Sequence, residues 1–171
     1  MTHYEKQTDF IIASLLEESG LDFTFNGSKI KEVDEALKTA SKRGTGKQGF
    51  PEFVAASGEF LIVVEDKADP TKQVKYVDPN NPKTLLMDRS SVTEYAENGA
   101  VFYARHIVEN TRFKKVFAFG CSGTERGRIV IRPIFVSPKM IMPLSKVQDF
   151  TDFSVERINT YYERKVLDSK P

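Results

Sequence analysis

The run Phe60-Leu61-Ile62-Val63-Val64 is continuously apolar, rich in β-branched residues, and ends without a turn on Glu65-Asp66-Lys67. A strand with one wet face alternates apolar and polar residues, so an unbroken run describes a strand covered on both faces. The chain must therefore build a sheet with layers on both sides. Charges at the end of such a strand cost desolvation, which a metal, a water or a polar substrate has to offset.

Side chains alternate along a strand, so Glu65 and Lys67 share one face and Asp66 points to the other. Ser57-Gly58 or Gly58-Glu59 reads as a two-residue loop joining this strand to a preceding one, Phe50 to Ala56. With either loop, facing residues add to an odd number, which puts Glu52 on the face of Glu65. Glu52, Glu65 and Lys67 are then expected to converge. Two carboxylates within reach repel unless a divalent cation lies between them, and hard oxygen donors suit Mg2+ or Mn2+. An adjacent ammonium can orient a water or offset charge on a phosphoryl group.

At these residues the chain resembles the PD-(D/E)XK nuclease superfamily: Pro51-Glu52, then thirteen residues on, Glu65-Asp66-Lys67. The wording Gly49-Phe50-Pro51-Glu52-Phe53, followed by Phe60 to Asp69, is more narrowly similar to nuclease domains of restriction-modification enzymes, either type I R subunits or fused nuclease-methyltransferases. The resemblance implies a restriction-endonuclease-like αβββαβ core, a mixed central sheet flanked by helices, spanning about residues 22–136. It also implies that Glu52 and Glu65 hold the metal with Asp66 contributing its carbonyl, and that Lys67 positions the attacking water. The first acid is usually Asp in that family, and Glu52 is one bond longer. Relatives carry Gln-x-x-x-Tyr on the following helix; here Tyr103 fills the Tyr position and Gly99 stands where Gln would be. Asp9 or Glu17 on the first helix is a further acid that the resemblance brings toward the metal.

With 171 residues, 40% of them hydrophobic, one domain with a real core is expected. A lone Cys121 excludes a disulfide framework and fits a cytoplasmic protein, while His3 and His106 are too few for a zinc site of the usual kind. No apolar run has the length of a membrane span, so no membrane partner is expected. A net charge of +1 is low for a DNA enzyme, because phosphate neutralisation dominates affinity for duplexes. Basic residues gathered on one face, with grip from another domain, reconcile the two. Residues 154–171 read as a charged helix leading to that next domain, and the whole chain as an N-terminal nuclease domain of a longer protein.

Apolar spacing predicts helices over Glu5 to Ser19, from Ser28 to Ala40, and from a capping-box pattern at Ser91-Val92-Thr93-Glu94 to Asn110. Asp22 to Phe25 reads as an edge strand, and Val116 to Gly120 and Ile129 to Val136 as two more. Pro133 argues that the last is at an edge or interrupted. Residues 68–90 lack clear periodicity and leave the strand just after Lys67, so they read either as a DNA-gripping flap or as an idle insertion.

Gly44-Thr45-Gly46-Lys47-Gln48-Gly49 matches G-x-G-x-x-G, but it follows a helix and precedes a strand, the reverse of a dinucleotide fingerprint. A loop whose bare backbone approaches DNA phosphate, with Arg43, Lys47 and Gln48 as contacts beside Tyr103, stands next to a plain linker. The sequence thus points to a Mg2+- or Mn2+-dependent endonuclease acting on double-stranded DNA. ATP or S-adenosylmethionine would enter only through a motor or methyltransferase domain beyond this chain, in a complex with a specificity subunit. The alternative, which rests on Glu52 in place of Asp, is a catalytically idle module that binds DNA or docks neighbouring domains.

Overall fold

The run from Phe60 lies in the middle of a six-stranded sheet. The structure, a computed structural model, describes residues 3–41 and 49–168. In chain order the elements are α1 (His3–Glu18), β1 (Phe23–Phe25), α2 (Lys31–Leu37), β2 (Phe53–Ser57), β3 (Phe60–Lys67), α3 (Arg89–Glu94), α4 (Ala96–Asn110), β4 (Val116–Ser122), β5 (Val130–Ser137), β6 (Met140–Pro143) and α5 (Ile158–Tyr162), which a π-helical turn (Glu163–Leu167) continues. The strands lie side by side in sequence order. β3 and β4 are parallel and all other neighbours antiparallel. This is the mixed, helix-flanked αβββαβ arrangement, with α2 inserted after β1 and with β5 and β6 added at the far side.

The β2-β3 hairpin turns through Gly58-Glu59, where Gly58 takes a φ of 60° that suits glycine. Phe53 faces Val64 and Ser57 faces Phe60, so facing residues do add to an odd number. Alternation divides the interior in two. Phe60, Ile62 and Val64 pack with Phe117, Phe119 and Phe135 under Ile12, Leu16, Phe150, Phe153 and Tyr161, on the side of α1 and α5. Leu61 and Val63 pack with Val116, Ala118 and Ile134 under α2 and α4, through Val33, Leu37, Ala100, Tyr103 and Ile107. Phe117 alone meets the rings of Phe60, Phe135, Phe153 and Tyr161 at centroid distances of 5.5, 5.3, 5.2 and 5.7 Å. Truncating such a residue costs on the order of 3–5 kcal/mol.

Three sequence expectations are corrected, and a fourth segment, residues 68–90, gains a defined conformation. The helix expected from Ser91 is two: Tyr95, at φ −115° and ψ 136°, breaks it, and the N-cap of α3 is Asp88, whose carboxylate accepts the Ser91 N–H. Glu94 therefore closes a helix rather than opening one. The helix expected from Ser28 starts only after Ile30, as α2; the Ser28 hydroxyl and N–H both donate to Asp34 Oδ1 and brace the turn before it. Pro133 neither interrupts β5 nor marks an edge, because its missing donor faces the outer side, where β6 has ended at Pro143 and Leu144 N–H donates to the Pro133 carbonyl. Residues 68–90 are folded back: Tyr76 bridges to Leu85, and the Asn98 side chain bonds both backbone groups of Lys75 and the Leu86 carbonyl. Among the described residues no helix is long and apolar enough to cross a membrane.

Candidate metal centre

β3 delivers its three charges to one end of the sheet, and alternation sends them to different layers. Asp66 goes to the α1 side, where it is 8% exposed and lies beside Cys121 on β4; Glu65, 4% exposed, goes to the α4 side. Nearly two turns into α1, Asp9 faces Asp66. Glu52 precedes the first residue of β2, so its long side chain is not held to the pleat. Carboxylate oxygens of Asp9, Glu52 and Asp66 all lie within 4.8 Å of one another.

Glu65 stays beside Glu52, while the carboxylate oxygens that converge are those of Asp9, Glu52 and Asp66. Glu65 Oε1 accepts the Glu52 backbone N–H at 3.0 Å, which pins the entry of β2. Lys67 shares the Glu65 face, half-buried, and its ammonium donates to the Thr93 carbonyl at 2.8 Å, at the last turn of α3. A lysine has three donors, so this bond leaves capacity for others. The sequence named Asp9 only as one of two helix acids, because a solvated helix charge and an inward one look alike before the sheet is built.

Electrostatics follow from the crowding. Burial first, then the hydrogen bond with Asp9 and its charge, and then the charges of Glu52 and Glu65 push the Asp66 carboxyl from 3.8 up to about 10. Among the described residues, Asp66 Oδ2 is buried without a hydrogen-bond partner. An all-oxygen donor set with an orphaned buried oxygen fits a hard divalent cation, and the residues present match that group.

Around this cluster the backbone is shaped by close approach. Gly49 lets the chain pass Ala40 and Tyr103, for a Cβ there would lie 2.7 Å from the Tyr103 ring. The next residue, Phe50, donates its N–H to the Tyr103 hydroxyl at 3.2 Å. Tyr103 is buried, and burial together with the Glu65 charge raises its hydroxyl pKa. Gly120 on β4 plays the same part for α4: a Cβ would sit 2.6 Å from the Glu97 backbone. Arg43, Lys47 and Gln48 lie outside the described residues, as does most of the glycine-rich loop.

Glu97, which the sequence did not single out, is 1% exposed beside that glycine. Gln73 bridges it to the sheet, donating to Glu97 Oε2 at 2.7 Å and to the Gly120 carbonyl at 2.8 Å, and accepting from Ser122. Arg132 of β5 approaches the same carboxylate oxygen at 3.8 Å.

No protein-family model matches this chain, and no solved structure matches it. Among curated proteins it is 35% identical over 173 residues to the type II restriction enzyme and methyltransferase RM.BcgI of Heyndrickxia coagulans. The alignment takes in 100% of this chain and 26% of the relative, so the chain spans about a quarter of that protein's length.

Proposed function

We propose that the chain is a divalent-metal-dependent DNA endonuclease module of a restriction-modification enzyme, of the kind in which nuclease and methyltransferase regions belong to one protein. The observation that carries this is the meeting of Asp9, Glu52 and Asp66 with a buried, unpartnered Asp66 oxygen. The similarity to RM.BcgI supports the restriction-modification setting and favours the type II fused form over a type I R subunit. S-adenosylmethionine, a methyltransferase region and DNA-specificity elements would then act through parts of the protein beyond these residues, in the cytoplasm.

Asp66 and Glu52 would hold Mg2+ or Mn2+, with Asp9 and Glu65 completing the anionic surround. When bound, the metal supplies charge neutralisation for a pentavalent phosphoryl group and a more acidic water. Glu65 fixes Glu52 through its backbone N–H. Lys67, anchored at Thr93 O, holds a water or a phosphate oxygen with its remaining donors. The PD-(D/E)XK pattern Pro51-Glu52, Glu65-Asp66-Lys67 supports the same assignment.

The second reading, an idle DNA-binding or docking module, is favoured by Lys67 being tied to a backbone carbonyl. Plasmid cleavage decides between them. With Mg2+ or Mn2+, wild type should nick or linearise supercoiled DNA, and Lys67→Ala should be slower by on the order of a hundredfold at unchanged circular dichroism. Equal cutting by Lys67→Ala would remove the nuclease assignment from this chain.

A further inference from the structure

Among the described arginines, Arg132 stands apart in how it is held. It is 29% exposed, its Nη1 donates to the Leu144 carbonyl at 2.7 Å, and its Nε faces the fully buried Glu97. Glu97 Oε1 is itself buried and has no hydrogen-bond partner among the described residues. Residues 68–90 bring Gln73 and the half-buried Tyr76 to the same place, Tyr76 near enough for its hydroxyl to feel both Glu97 and Arg132. Exposed Lys146, on the strap that follows β6, lies close enough to Glu97 to favour its ionised form. From Lys146 a cleft of about 600 Å³ continues past Tyr161 to Arg164 and Lys165, with Asp152 as its acid.

The register places this node relative to the carboxylates. Asp66 faces Cys121, Cys121 faces Ile131, and Ile131 faces Val147. Arg132 and Lys146 are the immediate neighbours of the last two. Arg132 is out of phase with Ile131 and therefore shares the α4 face with Glu65, through Glu65 facing Gly120 and Gly120 facing Arg132; at about 4.8 Å per strand it stands roughly 10 Å along the sheet end from Glu65, on the layer opposite Asp66. A duplex advances about 3.4 Å along its axis per nucleotide of one strand, so a separation of roughly 10 Å along that axis corresponds to about three nucleotides. A charge total of +1 leaves little general attraction for DNA, which makes local gathering of cations the relevant quantity.

We propose that Arg132, Lys146 and Tyr76 form a phosphodiester clamp for the DNA backbone at the same end of the sheet as the carboxylates, about three nucleotides from Glu65, with Glu97 and Gln73 as positioning residues that aim Arg132. The guanidinium fork offers paired donors to phosphate oxygens, Lys146 adds a mobile charge, and the Tyr76 hydroxyl donates one more bond. The buried acid matters because it holds a half-buried cation outward from beneath rather than competing with phosphate at the surface. This clamp rests on the nuclease reading only for the identity of its ligand, DNA.

The test is binding of a fluorescent duplex oligonucleotide by the whole protein, with Ca2+ in place of Mg2+, at several KCl concentrations. Arg132→Ala and Lys146→Ala should each weaken binding about tenfold and reduce the salt slope by about one, while Mn2+ binding stays as in wild type. Arg132→Lys should restore the slope but not the full affinity, since charge returns without the fork. Glu97→Gln should weaken binding with the slope unchanged, the mark of positioning rather than contact. Asp66→Asn, by contrast, should lose cleavage and keep duplex binding, which separates failure of the clamp from failure of the catalytic reading. Lys146 is exposed, so its variant remains informative if Arg132→Ala does not fold. Affinity and slope within twofold of wild type in both alanine variants, or no duplex binding by wild type, would overturn the clamp.

Discussion

Replacing Glu97 by Gln keeps the shape of a fully buried side chain and removes its charge. Burial raises the Glu97 carboxyl from 4.5 to about 7, against the opposing pull of the Gln73 amide, Arg132 and Lys146. Because the folded-state value lies above the unfolded one, the folded protein binds more protons between pH 4.5 and 7, and stability falls as pH rises through that window. The rise corresponds to about 3 kcal/mol of ionisation cost in the folded state above pH 7. Glu97→Gln avoids that cost. Urea melts in EDTA should find it about 2–3 kcal/mol more stable than wild type at pH 8, and within about 1 kcal/mol at pH 4.5. Loss of stability in Glu97→Gln that is greatest at pH 8 would refute the reasoning, because Glu97 and Arg132 would then form a net stabilising buried pair.

Asp66→Asn should abolish the thermal upshift that millimolar Mn2+ gives wild type, and in EDTA it should melt no lower, since the protonated acid is what it replaces; a lower metal-free melt would mark Asp66 as structural. Gly120→Ala should cost about 2–3 kcal/mol in chemical denaturation, because a Cβ 2.6 Å from the Glu97 backbone forces α4 off the sheet. Asn98→Ala should remove the ties to Lys75 and Leu86 and open residues 68–90 to limited proteolysis at least tenfold faster, with the β-sheet signal in circular dichroism intact. Unchanged proteolysis would mean the segment is held elsewhere.

The legible parts of this fold are those set by local patterning. The unbroken run Phe60 to Val64 required a doubly covered strand, and two candidate loops of equal length fixed the parity of the hairpin before either was chosen. What escaped depended on distant chain. Tyr95 carries no helix-breaking residue type, so the split between α3 and α4 shows only once Asp88 is seen as the cap. β6, four residues long, has too short a pattern to stand out. Alternation was applied correctly to Glu65, Asp66 and Lys67 but does not govern Glu52, which lies outside β2 and whose carboxylate joins those of Asp9 and Asp66. Asp9 and Glu97 sit on helices among other acids, and only tertiary packing separates an inward carboxylate from a solvated one.

Two groups of buried charge thus occupy one end of one sheet, and they are resolved in opposite ways. The Glu97 group is mixed in sign: Arg132 and Gln73 both answer Oε2 of the carboxylate from within the fold, so it can serve as a base for a cation turned outward. The Asp66 group is all acid. Its oxygens cannot satisfy one another except by retaining a proton, which is why burial and its neighbours drive that carboxyl so high. Such a cluster is destabilising in the empty protein and is relieved by exchanging the proton for a cation, so metal affinity should climb with pH across the neutral range. On the proposed reading the division of labour is specific: one group would take a metal, and the other would hold the strand that the metal acts on.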